Sequence, residues 1–592
     1  MMELKFKEDI KKRKDKLIEH NKTAGIITAF KMAFFILICY SSYNLYKNNY
    51  PQNLILLLIG EILIFVFACF LHKNTYDQIH KEEGIIKIDE ANINRLKGEW
   101  STFKDIGEEF IDYNHNYATD LDIVGKNSLF QMINTTGTYY GRHQFVNDLL
   151  HPNFSHEELR KRHDAITELS NNYDFSVEAE YNFSLIGIDN SFPSLISQLQ
   201  NKKRFIKSKT LKILFKITSL ITCLSLIYSL VTKATLGFII SNCFIIIQLL
   251  LWIIGYLKAN SYVGVMRNLA PKISKYDNVI DHIIKNNFKS DKLNEMINSL
   301  ETAKVGIKEL SKIASNISYR NNGAMCIILN ALLLWDYKNA IDLDNWKQKY
   351  GDSVEYWFET LGELESLMSF ANLPRVCNNM TLPSLNEDKN RVEAINLGHP
   401  LISNSARVCN DFSLDNNIYI ISGSNMSGKT TFMRTVGINM VLASAGSYVC
   451  AKNMSFSKMK VITSMRIRDD LSGGISTFYA ELQRIKKIVD LSHKQENTLF
   501  LIDEIFRGTN SVDRLKGAEG VLRELSKSQV SGMITTHDLE VCNLERESDN
   551  IVNCSFNEHY ENGEIYFDYK LKNGRSHTTN AEYLLRKVGI IS

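Results

Sequence analysis

The chain has 592 residues, enough for several domains with separate cores. Its 69 basic and 66 acidic residues leave a net charge of +3, so no overall cationic field announces a polyanionic partner, and any nucleic-acid surface has to be local. Ten cysteines lie scattered with no C-x-x-C pair and no Cys/His cluster at zinc spacing, which argues against a disulfide scaffold or zinc fold and predicts reduced thiols in a cytosolic setting.

Residues 1–23 are a basic tail containing Lys5, Lys7, Lys11, Lys12, Arg13, Lys14, Lys16 and Lys22. Two apolar runs follow, Ala24 to Tyr46 and Asn53 to Leu71, separated by the short link Asn48 to Gln52. About twenty residues at 1.5 Å rise match a hydrocarbon core, so residues 24–72 are predicted to be a transmembrane helical hairpin. The first run is long, is followed at once by a second, and lacks a small-residue cleavage site, which argues against a secretory signal. Glu61 interrupts the second run and is expected to face a neighbouring helix or to mark function, while Lys31 interrupts the first.

Residues 73–209 are polar, helix-favouring and carry only Pro152 and Pro193. Within them Leu129 to Thr136, Gly137, Gly141-Arg142, Leu149-Leu150, Pro152 and Leu159 to Ile166 read as helix, glycine break, helix, proline stop, helix. A second pair of apolar runs, Ile213 to Val231 and Thr235 to Leu257, is joined by Thr232 to Ala234, so residues 210–257 are predicted to be a second hairpin, with Lys212 and Lys216 snorkelling. Only Lys47 lies in the first hairpin turn and Lys233 in the second, against the basic tail before the first span. The charge bias puts the N-terminus and all segments outside the hairpins in the cytoplasm, a multi-pass topology of four spans. Residues 258–390 are again helical, with Leu361, Leu364, Met368 and Ala371 as a core-forming stripe.

From residue 391 onward strand-like and helical runs alternate, the pattern of an α/β nucleotide-binding domain. Gly423-Ser424-Asn425-Met426-Ser427-Gly428-Lys429-Thr430 fits G-x-x-x-x-G-K-[ST] immediately after the apolar run Ile418 to Ile421. A strand ending in a glycine-rich turn that opens a helix aims several backbone N–H groups at one point, where the helix dipole and Lys429 favour a triphosphate and the Thr430 hydroxyl is placed for Mg²⁺. Thr431 follows this phosphate-binding loop. Val461 to Ile467, Thr498 to Ile502 and Gly532 to Thr535 are predicted strands. Asp503 at the end of the second can reach the Mg²⁺ shell, and Glu504 can polarise an attacking water. His537, after the third strand, can bond the γ-phosphate or that water. Between these motifs, Asp469 to Glu481 contains the turn Ser472-Gly473-Gly474-Ile475-Ser476 ahead of a helix, either a second phosphate sensor acting across a dimer or a capped helix start.

In order and spacing, the loop Gly423 to Thr431, Asp469-Asp470-Leu471 through Ser476-Thr477-Phe478, Asp503 to Thr509 with Arg507-Gly508, and Thr535 to Asp538 resemble the successive ATPase motifs of the MutS family, a branch of the ABC-type ATPases. His399-Pro400, Leu364 to Ala371 and the segment from Thr138 to Pro152 resemble that family's helical core and lever. The resemblance implies an α/β P-loop ABC-type ATPase domain over 391–592, preceded by α-helical membrane hairpins and a helical core/lever domain. It implies ATP and Mg²⁺ as cofactors, with Lys429 on the β- and γ-phosphates, Thr430 and Asp503 on Mg²⁺, Glu504 on the water and His537 on the γ-phosphate. It also implies a homodimer through the ATPase domain. Ser476 then contacts the partner subunit's γ-phosphate, with Ser472 as the alternative serine, and Tyr569 to Lys572 through Ala581 to Gly589 resembles a C-terminal helical dimer element.

Three departures stand out. Ser424 and Ser427 replace residues usually Pro and Gly in the family's loop, and Ile475 stands where a basic residue is common. The family's mismatch-reading domain has no counterpart in residues 1–95. The resemblance therefore implies a membrane-anchored, mismatch-repair-related ATPase that binds DNA with doubtful mismatch specificity. The alternative is an ABC-like ATPase acting on membrane or protein partners, including a transporter-like role. The basic run Lys202, Lys203, Arg204, Lys207 and Lys209 fits either DNA or a membrane flank.

Overall fold

The computed structural model describes residues 2–48, 51–388, 390–466, 477–494, 496–506, 509–528, 530–561 and 564–576. They form two compact units, Met1–Ile133 with Asn372–Ser592, and Asn134–Ala371.

The first unit opens with two rods, α1 (Met2–Lys47) and α2 (Gln52–Lys97), each of 46 residues and hence about 70 Å long. The apolar runs are only the distal parts of these helices. No proline lies where either run meets its polar continuation, and Gly25 alone does not stop α1, so both helices continue into polar sequence. Contacts between Arg13 and Glu82 (2.9 Å), Thr28 and His72 (3.0 Å), and Ser41 and Glu61 (2.9 Å) fix the rods antiparallel. Glu61 is 6% exposed and faces the neighbouring helix, as its position in an apolar run requires. The proximal end of α2 buries Ile79, Ile85, Ile86 and Ile93, and Arg95 donates to the carbonyl of Met132 at 2.7 Å. Gly98 (φ 80°) ends the helix, and an irregular stretch leads to α3 (Leu129–Ile133).

The second unit is helical: α4 (Tyr139–Leu150), α5 (His156–Asn171), α6 (Tyr173–Ile186), α7 (Phe192–Gln200), α8 (Lys209–Thr232), α9 (Thr235–Ile284), α10 (Asp291–Ser318), α11 (Gly323–Leu333), α12 (Trp335–Tyr350) and α13 (Val354–Val376), the last turn of which belongs to the first unit. The glycine break, proline stop and helix starts around α4 and α5 fall as the sequence predicts, with Thr138 and Ser155 as N-caps. Leu361, Leu364, Met368 and Ala371 are all buried. At Gly141 a Cβ would lie 2.2 Å from Glu365 Oε2, so only glycine lets α4 approach α13 this closely. Glu365 accepts from the backbone N–H of Gly137 (2.6 Å) and Thr138 (3.2 Å) and from the Thr138 hydroxyl.

Burial outweighs these donors and pushes the Glu365 carboxyl up to about 7. Below an ordinary carboxylate value both folded and unfolded states hold the proton, whereas between 4.5 and about 7 only the folded state does. Folding stability is therefore expected to fall as pH rises through this window. Glu365→Gln should flatten that part of a Tm-versus-pH curve, and an unchanged slope would count against the assignment.

Among the described residues, α1, α2, α8 and α9 are long and apolar enough to cross a membrane, and α11 with α12, bent by 78°, forms a further candidate. The bend sits at Leu334 (φ 47°). Inside the α8–α9 pair the Gln248 amide donates to Thr222 Oγ1 at 2.7 Å, while Ile254 and Leu257 are 81% and 80% exposed. Trp252 and Tyr337 tie α9 to α12, through Asp336 Oδ2 at 2.9 Å and the Leu251 carbonyl at 2.9 Å.

The remainder of the first unit is α/β: β1 (Met380–Thr381), β2 (Ser384–Leu385), β3 (Arg391–Leu397), β4 (Asn410–Asp415), β5 (Ile418–Gly423), α14 (Lys429–Ser444), β6 (Val449–Cys450), β7 (Asn453–Phe456), β8 (Lys460–Ser464), α15 (Thr477–His493), β9 (Thr498–Asp503), α16 (Ser511–Ser526), β10 (Ser531–Thr536), β11 (Ile551–Glu561) and β12 (Glu564–Asn573). The main sheet runs β12-β11-β5-β10-β9-β8, parallel except for the β11–β12 pair. A second, four-stranded sheet has the order β2-β7-β3-β4. Strands β9 and β10 are buried at every position, as parallel strands covered on both faces must be. Tyr569 to Lys572, expected to belong to a helical element, lie in β12, where Leu571 and Lys572 pair with Phe556 and Ser555 of β11 and Tyr569 and Lys570 fall at a register shift. Residues 581–589 of that expected element lie outside the described residues.

The irregular stretch before α3 is bound to this domain through Asp120, which is 1% exposed. Its carboxylate accepts from Thr463 Oγ1 (2.7 Å), the N–H groups of Met465 (3.0 Å) and Arg466 (3.1 Å), and Arg484 (3.0 Å). Asp120→Ala leaves these donors without their acceptor and is expected to cost about 3 kcal/mol. A thermal-melt shift below about 1 °C would refute this role.

Candidate functional site

Parallel register brings three strand ends to one edge of the sheet. Ser422 pairs with Thr536, and Thr535 pairs with Asp503, so β5, β10 and β9 all finish beside the loop Gly423 to Gly428. Open α/β sheets place ligands outside such carboxyl ends. At Gly423 (φ 148°) a Cβ would lie 2.4 Å from the Phe556 carbonyl oxygen, and Gly428 (φ 106°) caps α14 in the left-handed region. Met426 (φ 66°) also takes a left-handed conformation, at the loop's exposed tip.

Lys429 is buried in the loop, with Nζ donating to the carbonyls of Gly423 (2.8 Å) and Ser424 (2.7 Å). Ser424 Oγ donates to Glu558 Oε2 at 2.8 Å, giving the departure from proline at this position a partner on β11. The Thr430 hydroxyl lies 3.0 and 3.1 Å from the two Asp503 oxygens, and Asp503 also accepts from Thr535 Oγ1 at 2.6 Å. One hydroxyl and one carboxylate converging in this way form an oxygen donor pair suited to a hard divalent cation.

Glu504 follows in a left-handed conformation (φ 52°), its N–H donating to Thr535 Oγ1 at 3.0 Å. His537 Nε2 lies 3.0 Å from Glu504 Oε1. Phe506 is also left-handed (φ 59°), and its N–H donates to the buried Glu481 of α15 at 2.5 Å. Two non-glycine residues in αL within three positions store about 1–3 kcal/mol each, the kind of strain that collects at functional sites. Asp538 is held by Arg514 through a bidentate pair of 2.7 and 3.0 Å.

The structure thus assembles Gly423, Ser424, Asn425, Met426, Ser427, Gly428, Lys429, Thr430, Thr431, Asp503, Glu504 and His537 on one sheet edge. Ser472 and Ser476 lie outside the described residues, as do Arg507 and Gly508; α15 begins at Thr477. Residues 419–586 match MutS domain V. Over this domain the chain is similar to the MutS family. It is 31% identical over 247 residues to the DNA mismatch repair protein MutS of Staphylococcus aureus strain MRSA252, covering 40% of this chain and 28% of that relative. Against the protein of the same name from Staphylococcus saprophyticus the identity is again 31% over 247 residues, covering 40% and 27%. The chain therefore spans under a third of the length of these relatives.

The MutS domain also has a cleft of about 550 Å³ beside the loop, walled by His399, Ile402, Val408, Phe556 and Tyr569. Its size and mixed polar and apolar lining suit a nucleotide-sized ligand. Burial, with Arg434 and Arg407 nearby, pulls the His399 imidazole down to about 3, so it presents a neutral ring. Sequence reasoning did not assign Ile402, Val408 or Tyr569 to the site. Their only sequence signal is apolar or aromatic character, and it is the return of β12 past β4 that brings Tyr569 to Gly428.

Proposed function

We propose that this chain is a membrane-anchored, MutS-type ATP hydrolase whose nucleotide cycle is coupled to DNA binding. The observation that carries the ATPase reading is the convergence of the loop, Thr430–Asp503 and Glu504–His537 on one sheet edge. In this reading Lys429 and the N-terminal N–H groups of α14 bind the β- and γ-phosphates. Thr430 and Asp503 hold Mg²⁺, which neutralises phosphate charge when bound. Glu504 orients and deprotonates the attacking water, and His537 positions Glu504 and reaches the γ-phosphate. Ser476 completes the site across a homodimer, with Ser472 as the alternative.

Membrane anchoring rests on the four long apolar helices, whose side chains such as Val231, Ile254 and Leu257 are largely exposed. The basic N-terminal tail puts the ATPase domain in the cytoplasm. DNA as the partner rests on the similarity to DNA mismatch repair proteins, with little mismatch preference. The same helices, together with the bent α11–α12 pair, favour a second reading, an ABC-like ATPase working on a membrane or protein partner. Expressed full-length protein should resist alkaline carbonate extraction, be released by detergent, and then hydrolyse ATP only with Mg²⁺. Recovery in the soluble fraction would defeat the anchoring, and lack of hydrolysis would defeat the enzyme.

A further inference from the structure

The second unit contains a cleft of about 440 Å³ between α9 and α10 that the nucleotide chemistry leaves unused. Its lining starts at Val263, six residues beyond the end of the apolar run at Leu257, so it opens about 9 Å past that boundary. Pro271 supplies no N–H to the carbonyl of residue 267, so α9 forgoes one helical hydrogen bond next to the opening.

The lining is polarised. Arg267 and Arg320 contribute positive charge, Ser274, Ser315 and Ser318 contribute hydroxyls, and no carboxylate is among the described residues that line it. Arg267 is exposed and has Nη2 3.0 Å from Asn260 Oδ1. Arg320 is different: its side chain is 8% exposed, its Nε forms a 2.9 Å ion pair with Asp336, and its buried Nη1 has no hydrogen-bond partner. A buried guanidinium with an unused donor is costly unless an anion completes it. Asn321 adds a side-chain amide, and the rest of the wall is apolar, including Met266 and Ile317.

From this arrangement we infer that the cleft binds the phosphate of an anionic phospholipid, with the headgroup between Arg267 and Arg320 and an acyl chain along Met266 and Ile317. The inference rests on the membrane-anchored reading, since it places the cleft at the cytoplasmic leaflet, where basic pockets between helices collect anionic headgroups. Free phosphate shares the headgroup chemistry but makes no use of the apolar wall.

The test titrates full-length protein in detergent with water-soluble dihexanoyl phosphatidic acid, dihexanoyl phosphatidylcholine and inorganic phosphate. Phosphatidic acid should bind at least about tenfold more tightly than either of the others. Arg267→Ala, and Ser274→Trp, which fills the opening, should each weaken it about tenfold without changing ATP hydrolysis. Arg320→Lys, which keeps a charge opposite Asp336, should weaken it while preserving the melting temperature. Equal affinity for the two lipids, phosphate binding as tightly as phosphatidic acid, or wild-type affinity in the variants would overturn the assignment. Because the lipids are soluble, the titration reports on the cleft even if carbonate extraction were to defeat the anchoring.

Discussion

Glu504→Gln should keep ATP binding close to wild type while lowering hydrolysis by at least about 100-fold. The substitution preserves the shape of a side chain that His537 contacts at 3.0 Å, and the backbone of residue 504 stays fixed by its N–H bond to Thr535. What it removes is the carboxylate that takes a proton from water. Trapped before hydrolysis, the protein should accumulate as an ATP-bound dimer, because in the proposed site the serine-rich turn of one subunit closes on the γ-phosphate of the other. Size-exclusion chromatography with light scattering at saturating ATP and Mg²⁺ would read this directly. A monomer under those conditions counts against the shared site, and hydrolysis at the wild-type rate counts against Glu504 as the base.

Lys429→Ala acts one step earlier. The ammonium already lies inside the loop, bonded to the carbonyls of Gly423 and Ser424. In the proposed complex it faces two phosphates in a partly dehydrated pocket, where charge-assisted bonds are about twice as strong as neutral ones. ATP affinity should drop by about 100-fold, equivalent to about 2.7 kcal/mol, and dimerisation should be lost with it. Fluorescent-nucleotide titration of the variant at an unchanged melting temperature is the measurement. Affinity within about threefold of wild type would mean that the loop holds something other than a triphosphate.

The contrast between these variants bears on what was legible in the sequence. The loop, the carboxylate pair and the histidine each follow an apolar strand, and a local rule of strand, turn and helix locates them without knowing how the strands pair. Pairing then sets the distances, since only the parallel register of β5, β10 and β9 brings Thr430 within 3.0 Å of Asp503. The four apolar helices were equally plain, because length and hydropathy are properties of one segment. Helix beyond α2 and α9 is also legible, in the helix-favouring residues 73–209 and 258–390; what is not is that these helices run unbroken across the polar boundary and that α1 starts at Met2, since continuity has no equally strong signal.

Contacts distant in sequence were hidden. Asp120 lies in a stretch without periodicity and meets Thr463, Met465, Arg466 and Arg484 over 300 residues away in the chain. Tyr569 looked like the start of a helical element because Tyr569 to Lys572 is short and mixed in character, and the hairpin with β11 decides otherwise. The second sheet, β2-β7-β3-β4, is built from strands of two to seven residues, too short for alternation to declare.

The coupling of ATP to DNA is tested most directly by fluorescence anisotropy on the full-length protein in detergent at low salt. Labelled homoduplex, mismatched and branched DNA are each titrated with no nucleotide, with ATP, and with ATP in the Glu504→Gln background. The account predicts ATP-dependent binding to all three, with affinity falling linearly in a log–log plot against salt and less than about threefold preference for the mismatch. Absence of binding to every DNA, with ATP hydrolysis intact, would contradict it and leave a membrane or protein partner as the load on this ATPase.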